Sequence, residues 1–264
     1  MSGQQALERT TIVLVEPQND INIGTAVRAA KNFGISSMRL VRPGGGDPAQ
    51  IGVSAPNADD FIERIELYDD VNEALKDCVF TLGLTARRRS AKWEVLEPRS
   101  AAVSVLEATK RGRVAFVFGR EDSGLPNEVL DRCHAVVTVP TNPGYSSLNL
   151  GQAVLLMAWE LFRAAEEVET VPKNWDRPEL ESEFEPAEME GMERLFQRAE
   201  TALAAVEFFK TDNHDHIMRS IRSVFLRASL DQRELAIWLG IFKEIVTFLK
   251  RKGLDSEGQS GEKQ

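Results

Sequence analysis

The chain has 264 residues, of which 42% are apolar and 28% are charged, and its formal net charge is −9. This composition is typical of globular proteins, and the length allows one large domain or two modest ones. No apolar run reaches the roughly 18–20 residues of a membrane-spanning helix, and the N-terminus lacks the apolar core of a secretory signal. Only two cysteines are present, which excludes a disulfide scaffold and indicates a cytoplasmic protein. The three histidines form no Cys/His cluster, so no metal site is predicted.

The negative charge is concentrated in one stretch. Residues 166–193 contain eleven acidic and two basic side chains, whereas the segments on either side are nearly balanced. Because this stretch also contains three prolines, it predicts a solvated linker between two domains. The acidic overall charge therefore does not exclude a nucleic-acid partner, since local patches decide such binding.

The segment before the linker alternates between apolar runs and helical patterns. Strands are predicted at 10–15, 38–41, 78–82, 114–118 and 135–139, and helices at 23–33, 71–76, 100–109 and 148–165. Alternation of this kind, with almost continuously apolar strands, is typical of a parallel α/β sheet covered on both faces.

The segment after the linker has only helical periodicity. Apolar residues recur at three-to-four spacing over 192–206, 217–225 and 235–249, which predicts three amphipathic helices and a small helical domain. The middle helix is predicted to place Arg219, Arg222 and Arg227 away from its apolar stripe. On charge alone, a solvated helix face explains these arginines as well as an RNA contact does. The final residues, 253–264, are predicted to be a frayed tail.

The loops after the strands are the places to look for a site, because parallel sheets bind ligands at the carboxyl ends of their strands. The first such loop has neither a dinucleotide fingerprint nor a phosphate loop. The helix that follows it carries Asn22, Gly24 and Arg28. Asn22 is predicted to cap this helix and Gly24 to allow a close backbone approach, while Arg28 has the alternative of being an ordinary surface arginine.

Two later loops combine glycine with polar side chains. Gly119, Glu121 and Gly124 follow the buried strand at 114–118, and residues 140–150 lead into the long helix with Ser146 and Ser147 as predicted caps. Each loop has a purely structural alternative, a strand-to-helix turn in one case and capping in the other. A serine hydrolase is disfavoured because there is no GxSxG elbow and only His134 lies near a suitable loop.

Together these three segments resemble the three motifs of the SPOUT class of RNA 2′-O-ribose methyltransferases, in the same order along the chain. The stretch Asn142–Leu150 is most similar to the tRNA (cytidine/uridine-2′-O)-methyltransferases within that class. The resemblance is firm to about Glu160 and looser beyond, and Thr85-Ala86-Arg87, the acidic linker and the helical tail extend it. It implies an α/β fold with a C-terminal trefoil knot, which periodicity does not show.

The resemblance divides the chain into a SPOUT methyltransferase domain (1–165), an acidic linker (166–187), a helical tRNA-binding domain (188–252) and the tail. It implies S-adenosylmethionine as cofactor, a homodimer in which the partner subunit completes each site, and methylation of nucleotide 32 in the tRNA anticodon loop. The family's cofactor positions fall on Leu84, Thr85, Ala86, Gly119, Val139, Ser146, Ser147 and Leu148. Leu84 departs from the small polar residue expected there, so its contact is predicted to be through the backbone.

The resemblance also implies roles for individual side chains. Arg28 would hold the phosphate beside the reacting ribose and assist proton removal, although an arginine is a poor base by itself. Glu121, Ser147 and Asn149 would shape the catalytic pocket. Basic side chains would meet the RNA backbone from both domains: Arg87, Arg88, Arg89 and Lys92 from the first, and Arg219, Arg222 and Arg227 from the second.

Three other functions stay open at this point. The substrate could be another RNA such as ribosomal RNA, and the chain could be an RNA-binding protein without catalysis. A nucleotide-binding oxidoreductase is the third, and the missing glycine fingerprint disfavours it.

Overall fold

The computed structural model describes residues 2–86, 93–170, 185–210 and 213–253. The chain forms two compact units, an α/β unit described over 2–86 and 93–170 and a helical unit described over 185–210 and 213–253. No helix in these described ranges is long and apolar enough to cross a membrane.

The α/β unit contains one sheet in which every pair of neighbouring strands is parallel. Along the sheet the strands lie in the order β3-β2-β1-β6-β4-β7-β5. Their bounds are β1 (Thr10–Val15), β2 (Ser37–Val41), β3 (Glu66–Tyr68), β4 (Cys78–Leu84), β5 (Val95–Leu96), β6 (Arg113–Phe118) and β7 (Ala135–Val137). The predicted parallel α/β sheet is therefore confirmed.

The differences from the predicted strands are at the edges. The prediction missed β3 and β5, which are edge strands of three and two residues, too short to show a period of two. β7 ends at Val137 rather than at residue 139. The reason is that its neighbour β4 ends at Leu84, which is the partner of Val137 in the ladder.

Eight helices accompany the sheet in the described part of the α/β unit. They are α1 (Gly3–Glu8), α2 (Asp20–Asn32), α3 (Pro48–Ser54), α4 (Asp59–Ile62), α5 (Val71–Leu75), α6 (Pro98–Thr109), α7 (Asn127–Leu130) and α8 (Leu150–Thr170). The four predicted helices correspond to α2, α5, α6 and α8. The four that were missed have at most seven residues, which is under two turns and gives no clear periodicity.

Side chains from successive residues of the central strands enter two separate apolar clusters. On β1, Ile12 and Leu14 belong to one cluster, while Val13 and Val15 belong to the other. The alternation follows from the strand geometry, in which neighbouring side chains point to opposite faces. Both faces of the sheet are thus covered, as predicted.

Glycines allow α2 to lie close to its neighbours. A Cβ on Gly24 would be 2.3 Å from the Ile51 carbonyl oxygen of α3, and a Cβ on Gly151 of α8 would be 2.3 Å from Thr25 Oγ1. These approaches confirm the close backbone contact predicted for Gly24. They also place the start of α8 directly beside the first turns of α2.

A charged cluster lies within the sheet around Arg39 of β2, which is only 4% exposed. Its two terminal nitrogens donate to the two carboxylate oxygens of Asp77 at 2.6 and 2.9 Å. Arg113 Nε lies 3.0 Å from the same carboxylate. Asp77, directly before β4, therefore joins β2 to β6 through a bidentate ion pair.

The helical unit consists of α9 (Met189–Ala205), α10 (His214–Ala228) and α11 (Gln232–Arg251). These three helices confirm the predicted helical region. Leu195 and Phe196 of α9, Leu226 of α10 and Leu235 of α11 share one buried cluster. A capping box of Asp231 and Glu234 begins α11, because each side chain accepts a hydrogen bond from the other's backbone N–H.

Candidate functional site

The loop after β6 forms a tight turn that contains Glu121. Gly124 has a φ of 69°, and its N–H donates to the Arg120 carbonyl at 2.9 Å. A Cβ on Gly119 would lie 2.2 Å from the Gly124 carbonyl carbon, so only glycine lets the turn close against the end of the strand. The turn therefore holds the partly buried Glu121 at the carboxyl end of β6.

The Glu121 carboxylate connects this turn to the loop and helix that follow β1. One oxygen accepts a hydrogen bond from Asn22 Nδ2 at 2.9 Å, and the other accepts from the Gln18 backbone N–H at 3.0 Å. Asn22 is in the first turn of α2 and is 99 residues from Glu121 along the chain. The tertiary fold thus joins two of the three predicted motif segments.

Asn149 adds the third segment. Its Nδ2 donates to Asn22 Oδ1 at 2.9 Å, and its own Oδ1 accepts from the Gly151 N–H at 2.9 Å. Each amide therefore uses one end as donor and the other as acceptor, which fixes its orientation. We call the chain of hydrogen bonds through Asn149, Asn22 and Glu121 the amide relay.

The relay also corrects the predicted helix caps. α2 is capped by Asn19, whose Oδ1 accepts from the Ile21 N–H at 2.8 Å, so the prediction that Asn22 is the cap is wrong. The helix begins one turn earlier than the apolar pattern indicates, which leaves Asn22 free to reach Glu121. Likewise α8 begins at Leu150 and is capped by Asn149, not by Ser146 or Ser147.

The segments predicted to hold the cofactor lie along one edge of the sheet. β6, β4 and β7 are neighbours and parallel. The residues at and after their carboxyl ends, Gly119, Leu84–Ala86 and Val139, are therefore at the same edge of the sheet. Leu84 is buried, and the Thr85 N–H donates to the Val137 carbonyl at 3.0 Å. The ends of β4 and β7 are therefore held together directly.

The loop that leads to α8 is ordered by its own hydrogen bonds. The Tyr145 and Gly144 N–H groups donate to the carbonyl and the side chain of Asn142, both at 2.9 Å. Thr141 Oγ1 donates to the Ser146 carbonyl at 3.2 Å. The N–H groups of Ser147 and Leu148 donate to no group in the described part of the chain. They are available to a ligand at the same edge.

Arg28 is exposed on α2, one turn beyond Gly24. Within the described ranges its guanidinium forms no hydrogen bond or ion pair, and it does not contact the amide relay. Among the described residues, α2 therefore carries both a hydrogen-bonded member of the relay, Asn22, and an unpaired cation, Arg28. Such a cation can bind a phosphate without first breaking an internal ion pair.

His134 is not available as a base at this site. Its Nδ1 lies 3.1 Å from the Thr81 N–H, which donates to it, and its ring packs 5.0 Å from Phe80. Burial lowers the pKa of His134 to about 4, because the interior disfavours the charged imidazolium. This histidine is a neutral core residue, which supports the exclusion of a serine hydrolase.

Comparisons with known proteins identify the family of the chain. Residues 9–159 match the SpoU rRNA Methylase family. The chain belongs to the SpoU methylase family. Residues 190–256 of this SpoU methylase match the C-terminal domain of the tRNA methyltransferase TrmJ.

Similar proteins are matched over almost their whole length. The SpoU methylase described here is 35% identical to the tRNA (cytidine/uridine-2′-O-)-methyltransferase TrmJ of Pectobacterium atrosepticum, over 90% of this chain and 97% of that relative. It is 34% identical to TrmJ of Klebsiella pneumoniae, with 90% and 97% covered. The crystal structure of TrmJ from Z. mobilis ZM4 is similar with a TM-score of 0.76 and 31% identity, over 90% of this chain and 99% of that one.

Several positions in the SpoU unit were not identified from sequence. Asn22 belongs to the first motif segment and is predicted to be a helix cap, whereas its position as the central member of the amide relay is not predicted. Glu16 and Arg42 directly follow β1 and β2 with φ values of 52° and 44°, and their side chains pair at 2.8 Å. Neither residue type favours positive φ, so no local sequence signal marks them.

The predicted RNA-binding residues have different outcomes. Arg87, Arg88, Arg89 and Lys92 lie outside the described residues. Arg219 is half-buried and Arg227 is exposed on α10 of this SpoU methylase. Arg222 is not on the solvent face, because its Nη1 binds Glu193 at 2.7 Å and its guanidinium lies 4.5 Å from the centre of the Phe196 ring. The prediction that it points away from the apolar stripe is wrong.

Proposed function

We propose that this chain transfers a methyl group from S-adenosylmethionine to the ribose 2′-OH of nucleotide 32, cytidine or uridine, in the anticodon loop of tRNA. The observation that carries the proposal is the amide relay, which assembles the three motif segments beside the strand ends expected to hold the cofactor. The similarity to TrmJ over both units supports tRNA as the substrate.

The residues at the sheet edge are suited to S-adenosylmethionine. Its adenine ring needs hydrogen-bond partners, and the N–H groups of Ser147 and Leu148 offer these. Leu84 is assigned a contact through its backbone, because its side chain is buried in the core. We assign the remaining contacts to Thr85, Ala86, Gly119, Val139 and Ser146. When bound, the cofactor supplies an electrophilic methyl group.

We assign Arg28 to the ribose-phosphate of the target nucleotide. A guanidinium can hold a phosphate by two parallel hydrogen bonds and so fix the adjacent 2′-OH for attack. The amide relay fixes the loop that carries Ser147 against α2, on which Arg28 lies, so that Glu121 and Asn149 position this reaction. Arg219 and Arg227 are assigned to the RNA backbone, together with Arg87, Arg88, Arg89 and Lys92.

We further propose the domain order expected from sequence, a methyltransferase domain, an acidic linker and a helical tRNA-binding domain. The expected first boundary at residue 165 moves to the end of α8 at Thr170, because the helix continues to that residue. We also propose that residues 1–165 contain the trefoil knot and that the protein is a cytoplasmic homodimer. Ile21 on α2 and Leu155 and Trp159 on α8 are about half-exposed although large and apolar. A second copy covering them would explain this patch. Light scattering of Trp159→Lys is expected to show monomers, whereas an unchanged dimer would place the interface elsewhere.

Methyl transfer to defined RNAs tests the proposed activity. The protein is incubated with labelled S-adenosylmethionine and an unmodified tRNA transcript, and the nucleosides are identified by mass spectrometry. A transcript with a 2′-deoxy nucleotide at position 32 is the matched control, because it lacks only the acceptor oxygen. Label in both transcripts would refute position 32. A parallel incubation with ribosomal RNA tests the ribosomal alternative that the family name suggests, which label in ribosomal RNA alone would support.

A further inference from the structure

Several basic side chains of the helical unit bind groups within the unit. Arg222 pairs with Glu193, Arg251 with Glu244, and Lys210 lies 3.9 Å from Glu207. Arg227 Nε donates to the Ser223 carbonyl. A phosphate that recruited any of these groups would have to compete with an existing partner.

The outer face of α9 has two arginines of a different kind. Arg194 and Arg198 are exposed, and neither forms a hydrogen bond or ion pair within the described ranges. Since they are four residues apart on a helix, their side chains lie next to each other on one face. Together they present two adjacent unpaired guanidinium groups.

The carboxylates of α9 do not cancel this charge in the same way. Glu193 pairs with Arg222, and Glu200 lies 3.0 Å from His214 Nε2, so both are engaged by α10. Glu190 is exposed in the first turn, four residues before Arg194, and therefore lies on the same face. That face has two guanidinium groups and one carboxylate, so its net charge is positive.

An exposed aromatic corner follows the C-terminal end of α9. Glu207 has a φ of 52°, and the Phe208 N–H donates to the Leu203 carbonyl at 2.9 Å, so the backbone turns sharply there. The Phe208 ring is 50% exposed although its edge contacts Phe209, which packs on His214. The Phe208 ring is therefore held on one side by Phe209, while about half of the residue is accessible to solvent.

We propose that the outer face of α9 and the Phe208 corner form a further RNA contact surface of the helical unit, in addition to Arg219 and Arg227, a proposal that rests on the function proposed above. Arg194 and Arg198 would each bind a backbone phosphate, which fixes position without reading sequence. Phe208 would stack on an unpaired base, as exposed aromatic side chains do in RNA-binding proteins. The partner is therefore an RNA with both a phosphate backbone and at least one unstacked base.

Salt dependence of tRNA binding by the full-length protein tests the arginine pair. Arg194→Gln with Arg198→Gln removes two charges from α9, and Lys243→Gln with Lys250→Gln removes two exposed, unpaired charges from α11 as a matched control. Each lost phosphate contact lowers the slope of log K against log salt by about 0.7–0.9, so the α9 variant is expected to lose about 1.4–1.8. Equal slope losses in both variants, or none in the α9 variant, would overturn the surface.

Two variants of Phe208 test stacking. Phe208→Ala is expected to weaken tRNA binding by about tenfold, and Phe208→Tyr to restore it, because every aromatic ring offers a stacking face. Binding by Phe208→Ala equal to that of the unmodified protein would remove the corner from the surface. So would equal weakening in both variants, which would indicate a packing defect.

The methylation assay separates this proposal from the activity on which it rests. In the α9 and Phe208→Ala variants the KM for tRNA should rise while kcat at saturating tRNA is unchanged. If the unmodified protein methylates tRNA but the α9 variant keeps the full salt slope, the proposed RNA contact surface is refuted and the proposed activity is not. A protein that binds tRNA through this face but methylates no tRNA refutes the proposed activity and leaves the surface.

Discussion

The α/β unit and the helical unit hold their functional side chains in place by different means. In the α/β unit, hydrogen bonds join loops that are about 100 residues or more apart, and the relay from Asn149 through Asn22 to Glu121 fixes three loops at once. In the helical unit, ion pairs such as Arg222 with Glu193 join one helix to the next. These ion pairs determine which charged side chains of the helical unit can bind a ligand without losing an internal partner.

The difference decides how much of each site can be read from sequence. Strand ends locate the first site, because every parallel strand delivers its following loop to the same edge of the sheet. No comparable rule exists for helix faces, where a basic residue can be solvent-exposed or paired with a neighbouring helix. Arg222 and Arg198 both lie on amphipathic helices, yet Arg222 is paired with Glu193 and Arg198 is exposed.

Replacing Arg28 should have the largest effect. Arg28→Ala is expected to lower kcat/KM for tRNA by about 100- to 1,000-fold, the range for losing one charge-stabilising group at a reacting centre. Cofactor affinity and stability should be unchanged, because Arg28 has no partner within the described residues. Calorimetric titration with S-adenosylmethionine checks this, and an equal loss of cofactor affinity would contradict the assigned role.

Asp77→Ala tests the internal ion pair of the α/β unit. Removing one partner of a buried pair costs about 3–5 kcal/mol, and the lower end is expected because Asp77 itself is about half-exposed. Asp60→Ala is the control, since Asp60 pairs with Lys31 and Arg64 at the surface and its loss should have no measurable effect. Urea unfolding measures both variants, and equal stabilities would refute a role for Asp77.

The Asp77 effect should also depend on pH. Burial acts to raise the pKa of Asp77, but hydrogen bonds from Arg39 and the charges of Arg39 and Arg113 outweigh it, so the net pKa is below the ordinary value. The carboxylate therefore contributes its full stabilisation above about pH 4, and this contribution is lost as the pH falls below that value. The difference in the free energy of unfolding between the unmodified protein and Asp77→Ala should therefore become smaller below about pH 4.

Arg222→Ala tests the helical side of the comparison. It removes a hydrogen-bonded ion pair and the contact with Phe196, and should lower the free energy of unfolding by about 2 kcal/mol. Arg227→Ala, from an exposed position on the same helix, should change it by no more than about 0.5 kcal/mol. If thermal unfolding showed Arg227→Ala to be less stable than Arg222→Ala, the ion pair of Arg222 would not contribute to stability and Arg222 would be available to RNA.

The smallest effect is expected from Asn149→Asp, which separates capping from the relay. Aspartate caps a helix as well as asparagine does, so the stability of α8 should be retained. It has no N–H to donate to Asn22, so kcat is expected to fall about tenfold, or about 1.4 kcal/mol. Asn19→Asp is the matched control, because Asn19 caps α2 and its side chain contacts nothing else at the site. An equal kcat for both variants would mean that the hydrogen bond from Asn149 to Asn22 does not contribute to the reaction.

Much of the α/β unit follows from sequence alone. The apolar runs at β1, β4 and β6 are long enough to specify buried strands, and alternation with helical patterns predicts that they are parallel. The three motif segments could be located because each directly follows a strand or opens the next helix. The helical unit could be predicted to the same level, since its apolar spacing marks α9, α10 and α11.

The tertiary structure alone decided which side chains meet. Asparagine is a residue type that favours helix caps, but the role of Asn22 in the relay depends on Asn149, which is 127 residues away. The short edge strands β3 and β5 form because neighbouring strands offer free backbone groups, not because of their own pattern. Arg222 is bound because Glu193 of α9 lies within 2.7 Å of it, whereas Arg198 has no ion pair or hydrogen bond in the described ranges. Periodicity records which face of an element is apolar, whereas hydrogen bonds and ion pairs depend on distances that only the folded chain sets.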